Sequence, residues 1–206
     1  MSEQIQKQPF WEEMGLPAPG TRMSLDEYLA LPETTIPMEY FDGAVVYPHW
    51  NEETMSPAPI PDHQDIVGNV YALLRAHAKQ HGGFAHFAPI DVIFESGITA
   101  QPDTMWRSPD SNCARMDKRF HGPPELVVEV LSPSTAKRDK TEKFDLYEAQ
   151  GVGEYWIVEP RDGLIEVYVR ESGQFKRLGA FAEEQTFDSP VLGQPVNVNA
   201  IFEMTE

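Results

Sequence analysis

The chain has 206 residues, 41% of them apolar, with 11 Phe, 7 Tyr and 4 Trp, enough to bury the core of one domain but not of two. Its formal charge of −17 argues against a protein that simply coats nucleic acid, because phosphate binding rests on clustered Lys and Arg. No apolar run approaches the roughly 20 residues of a bilayer span, and no apolar stretch follows the polar start from Met1 to Lys7. A cytoplasmic protein with no membrane contact is expected, and the single Cys113 excludes an internal disulfide or a thiolate metal site.

Residues 1–22 read as an extended N-terminal arm ahead of one domain over 23–206. Ser24 with Glu27 has capping-box form and predicts a short helix stopped by Pro32. Residues 40–47 read as a hairpin turning at Asp42-Gly43, followed by a Pro-rich loop over 56–61. From Asp62, a plausible N-cap, Ile66, Val67, Val70, Tyr71, Leu74 and Ala78 recur at helical spacing until Gly82-Gly83 ends the pattern. Strands are expected over 84–87, 91–94 and 98–105, and a polar loop over 107–124. Residues 126–131 are apolar except for Glu129, the profile of a central strand buried on both faces. Asp139 with Glu142 matches a second capping box, opening a helix that ends at Gly151. A strand over 154–158 and a hairpin of 165–169 with 174–178 complete an order that favours an α/β sheet with helices on its faces.

Charge is unevenly spread. Residues 107–143 hold eight of the 16 Lys and Arg against six acids, a local +2 on a chain whose remainder carries −19. Such a segment forms either a phosphate-attracting surface or a solvated loop of mixed charge.

The chemical anomaly is Glu129. A lone ionised carboxylate buried in an apolar strand costs several kcal/mol unless it is paired, hydrogen-bonded or bound to a cation. Asp103 follows Pro102 on another predicted strand, far enough upstream for the two strands to be neighbours. Two carboxylates meeting there make a hard oxygen site suited to Mg²⁺ or Mn²⁺. The alternatives are an ordinary Pro-Asp turn for Asp103 and an ion pair with Arg or Lys for Glu129. Spacing of three and four residues puts Lys143 on the side of Leu146 and Tyr147, with Lys137 or Lys140 as substitutes or a surface lysine as the plain reading. His63, at a helix start, suits contact with phosphate or water but more commonly a capping role, and it stays outside the core set. No other His spacing suggests a metal motif.

Gln101-Pro102-Asp103, the run from Pro124 through Glu129 to Thr135, then Arg138-Asp139, Lys143, Tyr147, Gly151-Val152 and Glu154 to Ile157 together resemble the Uma-type "putative restriction endonuclease" family. Leu25 to Tyr28, Glu39 to Gly43 and His63-Gln64 fit the same family in order, so the resemblance spans nearly all of residues 23–203. It implies a restriction-endonuclease-like PD-(D/E)XK fold, a mixed central β-sheet flanked by α-helices. It also implies a metal between Asp103, Glu129 and the Val130 carbonyl. The superfamily lysine two positions after the glutamate is replaced by Leu131, and Lys143 on the following helix is the best match. Glu39 matches an N-terminal acidic position that completes the metal site or orients water in relatives, or it is a simple hairpin residue.

The expected function is therefore a metal-dependent endonuclease acting on nucleic acid, with DNA as the expected substrate. Cutting both strands of a duplex would favour a two-fold homodimer. The competing readings are a catalytically silent nuclease-fold binding module and a small-molecule phosphodiesterase.

Overall fold

The computed structural model describes residues 9–48, 61–133 and 135–203, so His49, Ser134 and all but Pro61 of the Pro-rich loop lie outside the described residues. Among these residues the chain runs through α1 (Phe10–Glu13), α2 (Leu25–Leu29), β1 (Glu39–Phe41), β2 (Ala44–Val46) and α3 (Pro61–His81). It continues through β3 (Phe84–Phe87), β4 (Val92–Ile93), β5 (Thr99–Ala100), β6 (Thr104–Arg107), β7 (Ala114–Met116), β8 (Arg119–His121) and β9 (Leu126–Val130). After α4 (Ala136–Asp139) and α5 (Glu142–Gln150) come β10 (Glu154–Glu159), β11 (Leu164–Glu171), β12 (Gln174–Ala182), β13 (Thr186–Ser189), β14 (Gln194–Asn197) and α6 (Asn199–Phe202).

The main sheet has the order β12-β11-β10-β9-β6-β3, with β9 and β10 parallel and the other pairs antiparallel. Alternation along β9 explains its uniformly apolar composition. Leu126, Val128 and Val130 pack with Ile66, Val70 and Leu74 of α3, and Val127 and Leu131 with Leu146 and Tyr147 of α5. Glu129 shares the α5 side by the same alternation. A second sheet, β2-β1-β5-β4-β8-β7, lies apart from the first and brings Phe120 to the α5-side core.

Several local expectations changed. The strand expected over 98–105 is two strands in different sheets, broken at Gln101-Pro102-Asp103, so Asp103 precedes β6 instead of ending a strand. The polar loop expected over 107–124 contains the β7–β8 hairpin, turned at Asp117, which takes a left-handed φ of 54°. Cys113 is buried there, and desolvation pushes its thiol up to about 12. The arm is partly structured, since Phe10 of α1 packs edge-on against Tyr47 at 5.1 Å. The Ser24 capping box forms as expected. The second one does not: a short α4 precedes α5, whose N-cap Thr141 makes no side-chain cap bond, and Asp139 turns inward.

Candidate active site

The seam between the two sheets gathers the residues of interest. β6 and β9 pair with Thr104 opposite Val128, and one further step of that register sets Asp103 opposite Glu129. Opposite residues of an antiparallel pair project to the same face, with Cβ atoms roughly 5 Å apart. Asp103 Oδ2 also accepts a hydrogen bond from Val130 N–H at 2.8 Å, which ties the residue before β6 to the end of β9. From the second sheet, β1 contributes Glu39. From the helices come Arg138 and Asp139 of α4, Lys143 and Tyr147 of α5, and His63 in the first turn of α3.

Lys143 is the hub. Its Nζ donates to Glu129 Oε1 at 2.9 Å and lies 3.5 Å from both Glu39 Oε1 and Asp139 Oδ1. Burial works against the ammonium, but Glu129, Glu39 and Asp139 outweigh it and hold Lys143 charged well above the ordinary lysine range. Tyr147 hydroxyl donates to the same Glu129 oxygen at 2.6 Å. Glu39 is fully buried, accepting from Gln101 N–H at 2.7 Å and pairing with Arg138. Burial opposes its ionisation, yet Arg138, Lys143 and these hydrogen bonds lower its carboxyl to about 2.

Glu39, Glu129 and Asp139 thus gather around two fixed cations, Lys143 and Arg138, while the fourth buried acid, Asp103, meets His63 and the Val130 N–H. Glu129 bears the consequence. Burial pushes its carboxyl well above the usual range, and although Lys143 opposes the rise, the charges of Asp103 and Asp139 add to it. Asp139 is raised as well, again by burial first and against the pull of Lys143. His63 is buried with Nε2 3.3 Å from Asp103 Oδ2. Burial alone would depress its imidazole, but the hydrogen bond and charge of Asp103, followed by the Val130 backbone, carry it above its ordinary value.

Among the described residues no three His, Cys, Asp or Glu side chains are arranged to hold a metal by themselves. The donors available to a hard cation are Asp103, Glu129 and the main chain at Val130. One or two carboxylates completed by water are a usual set for Mg²⁺, and an excess of buried negative charge is what such an ion neutralises, so the residues fit the group.

The fold is similar to that of a solved structure. A crystal structure described as a putative nuclease belonging to DUF820, from Anabaena variabilis ATCC 29413, superposes with a TM-score of 0.69 at 20% identity, covering 87% of this chain and 97% of the other. Among curated proteins none matches. The Uma2 family profile, described as "Putative restriction endonuclease", matches residues 25–199. The chain belongs to this family.

In this Uma2 chain the sequence-derived candidates Glu39, Asp103, Glu129 and Lys143 come together, with Val130 beside them. Arg138 and Asp139, which the sequence shows only as part of the family resemblance and, for Asp139, as a helix cap, also join the cluster. The place of Asp139 one turn before Lys143 is the sequence signal that ties this acid to the lysine. A cleft of about 580 Å³ lined by Tyr28, Met38, Asp91, Gln101 and Arg119 opens beyond Gln101. None of the four buried acids lines it, so it neighbours the cluster without containing it.

Proposed function

We propose that this Uma2-family chain is a divalent-metal-dependent nuclease that hydrolyses phosphodiester bonds of nucleic acid, DNA being the expected substrate. The observation that carries the reading is the buried cluster in which four acids outnumber two cations, with Asp103, just before β6, opposite Glu129 of the adjoining β9. Membership of the family supports it. Asp103, Glu129 and the Val130 carbonyl would hold Mg²⁺ or Mn²⁺, which when bound lowers the pKa of water and polarises a phosphate oxygen. Lys143 orients the attacking water or stabilises charge developing on the phosphate. Glu39 stays ionised and anchors Lys143 and Arg138, so these cations are positioned before substrate arrives. Tyr147 fixes the Glu129 carboxylate through its 2.6 Å hydrogen bond.

Supercoiled DNA, single-stranded DNA and RNA incubated with Mg²⁺ or Mn²⁺ test this reading. Cleavage that disappears in Asp103→Asn and Glu129→Gln supports it, and cleavage that survives both substitutions overturns the assignment. A silent binding module is the second reading. It is favoured by Lys143 and Tyr147 already engaging one Glu129 oxygen while His63 engages Asp103. Nucleic-acid binding without cleavage under any divalent ion would select it.

A further inference from the structure

A strip of exposed rings and arginines lies along the edge of the main sheet, on the strand next to Asp103. Among the described residues β3 is the last strand and pairs only with β6. Phe84 and Phe87 are 46% and 53% exposed and project to opposite faces of that edge. The Arg107 guanidinium sits 4.3 Å over the Phe84 ring, and Tyr71 of α3 meets Phe87 edge-on at 4.7 Å. Arg115 stands opposite Phe120 in the β7–β8 hairpin, and the Phe120 ring lies 4.5 Å from His86 of β3 and 5.3 Å from the Arg107 guanidinium. Arg75 follows Tyr71 by one turn of α3. Burial first, and then Arg107, Arg115 and Arg75, disfavour the protonated form of His86. None of these three arginines has a carboxylate partner among the described residues. On a chain of net charge −17 the edge thus sets three arginines without a carboxylate partner beside two exposed aromatic rings, a surface complementary to an anionic, ring-bearing ligand.

We infer that the β3 edge is a docking strip for a single-stranded segment of nucleic acid, which stacks unpaired bases on Phe84 and Phe87 and sets its phosphates against Arg75, Arg107 and Arg115. The inference rests on the nuclease reading for its direction, because the strip leads to the candidate site: Ala88 N–H, just past Phe87, donates to the Asp103 carbonyl at 3.0 Å. From Phe84 to Ala88 is four residues of extended chain, about 13 Å at roughly 3.3 Å each. That is the rise of about four stacked nucleotides at roughly 3.4 Å. Bases offer their faces to aromatic rings only when unpaired, which selects a single strand over an intact duplex. A second copy of the chain is the other candidate for an open strand edge. A two-fold pairing along β3 would bring the same arginines of both copies together, and like charges disfavour it.

Fluorescence anisotropy with a labelled DNA strand of roughly 20 nucleotides, in EDTA, tests the strip separately from catalysis. Phe84→Ala with Phe87→Ala should weaken binding about 30-fold or more, and Phe84→Tyr with Phe87→Tyr should restore it. Arg75→Ala with Arg115→Ala should flatten the dependence of log Kd on log salt by about 1.4, roughly 0.7 for each phosphate contact on a single strand. Absent binding by the wild-type protein, or equal binding by the alanine pair, overturns the strip. So does an alanine pair that alters only oligomeric state in sedimentation, which would make the edge a contact between copies. Cleavage by wild type with unchanged binding and cleavage in the alanine pair would remove the strip and leave the nuclease reading standing. Strip-dependent binding with no cleavage under any divalent ion would do the reverse.

Discussion

Lys143 Nζ lies 2.9 Å from Glu129 Oε1 with both side chains buried, and the same ammonium is 3.5 Å from Glu39 and from Asp139. One cation therefore compensates three carboxylates. Removing it leaves uncompensated buried charge, so Lys143→Met should destabilise the fold by about 3–5 kcal/mol. Adding Glu129→Gln to that background should recover part of the loss, because it removes the acid most dependent on the ammonium. Urea unfolding of the two single variants and the double variant measures the coupling. A strictly additive double variant would mean that the contact carries no interaction energy.

Glu39 gives a pH signature. Its folded carboxyl sits at about 2 against 4.5 for an unperturbed glutamate, so its contribution is present above 4.5 and is lost as pH falls from 4.5 towards 2. The shift corresponds to about 3 kcal/mol. The stability gap between wild type and Glu39→Gln should be full at neutral pH and shrink across that acid window. Glu129 and Asp139 are shifted upward, so their ionisation disfavours the fold at neutral pH and protonation relieves the cost as pH falls. Subtracting the Glu39→Gln curve isolates the first effect, and a gap constant with pH would contradict it.

His63 acts through Asp103. At 3.3 Å from the carboxylate, His63 restricts its orientation, so His63→Gln should weaken divalent-ion affinity by about 10- to 100-fold. Mn²⁺ calorimetry reads this directly. If affinity is unchanged while the melting temperature falls, the role of His63 is structural only.

Glu154 provides a control away from the site. Its buried carboxylate accepts from Trp156 Nε1 at 2.6 Å, Ser189 Oγ at 2.8 Å and Val191 N–H at 2.9 Å, fastening the β13–β14 hairpin to β10. Glu154→Ala strands these donors and should cost about 2–4 kcal/mol. Hydrogen exchange should quicken over residues 186–197, with metal affinity unaltered. Unchanged protection there would show that the hairpin is held by other contacts.

Much of this was legible where one signal acted alone. The α3 helix has a clear apolar period from Ile66 to Ala78, the Ser24 box had no rival structure, and Glu129 stood out because every neighbour in its strand is apolar. What was lost depended on contacts distant in sequence. β7 is exposed throughout, so its residues carry no alternation to mark a strand. The stretch after Ile98 reads as one strand locally, and only its partners, β1 and β4 for Thr99 but β9 and β3 for Thr104, divide it between sheets. Asp139 satisfied a capping pattern, yet the buried Lys143 ammonium 3.5 Å away makes it part of the charge cluster. Arg138 stood in the sequence only as part of the family resemblance, and its pairing with Glu39, 99 residues distant, was not legible there.

A divalent ion at Asp103 and Glu129 would answer the buried acid excess. Calorimetric titration of the purified protein with Mn²⁺, alongside Asp103→Asn and Glu129→Gln, tests it without requiring a substrate. Saturable binding at one principal site should appear in wild type and vanish in both variants. At an ion concentration near 100 times Kd, it should stabilise the wild-type fold by about 2.7 kcal/mol. No binding by wild type, or binding that both variants retain, would contradict the account.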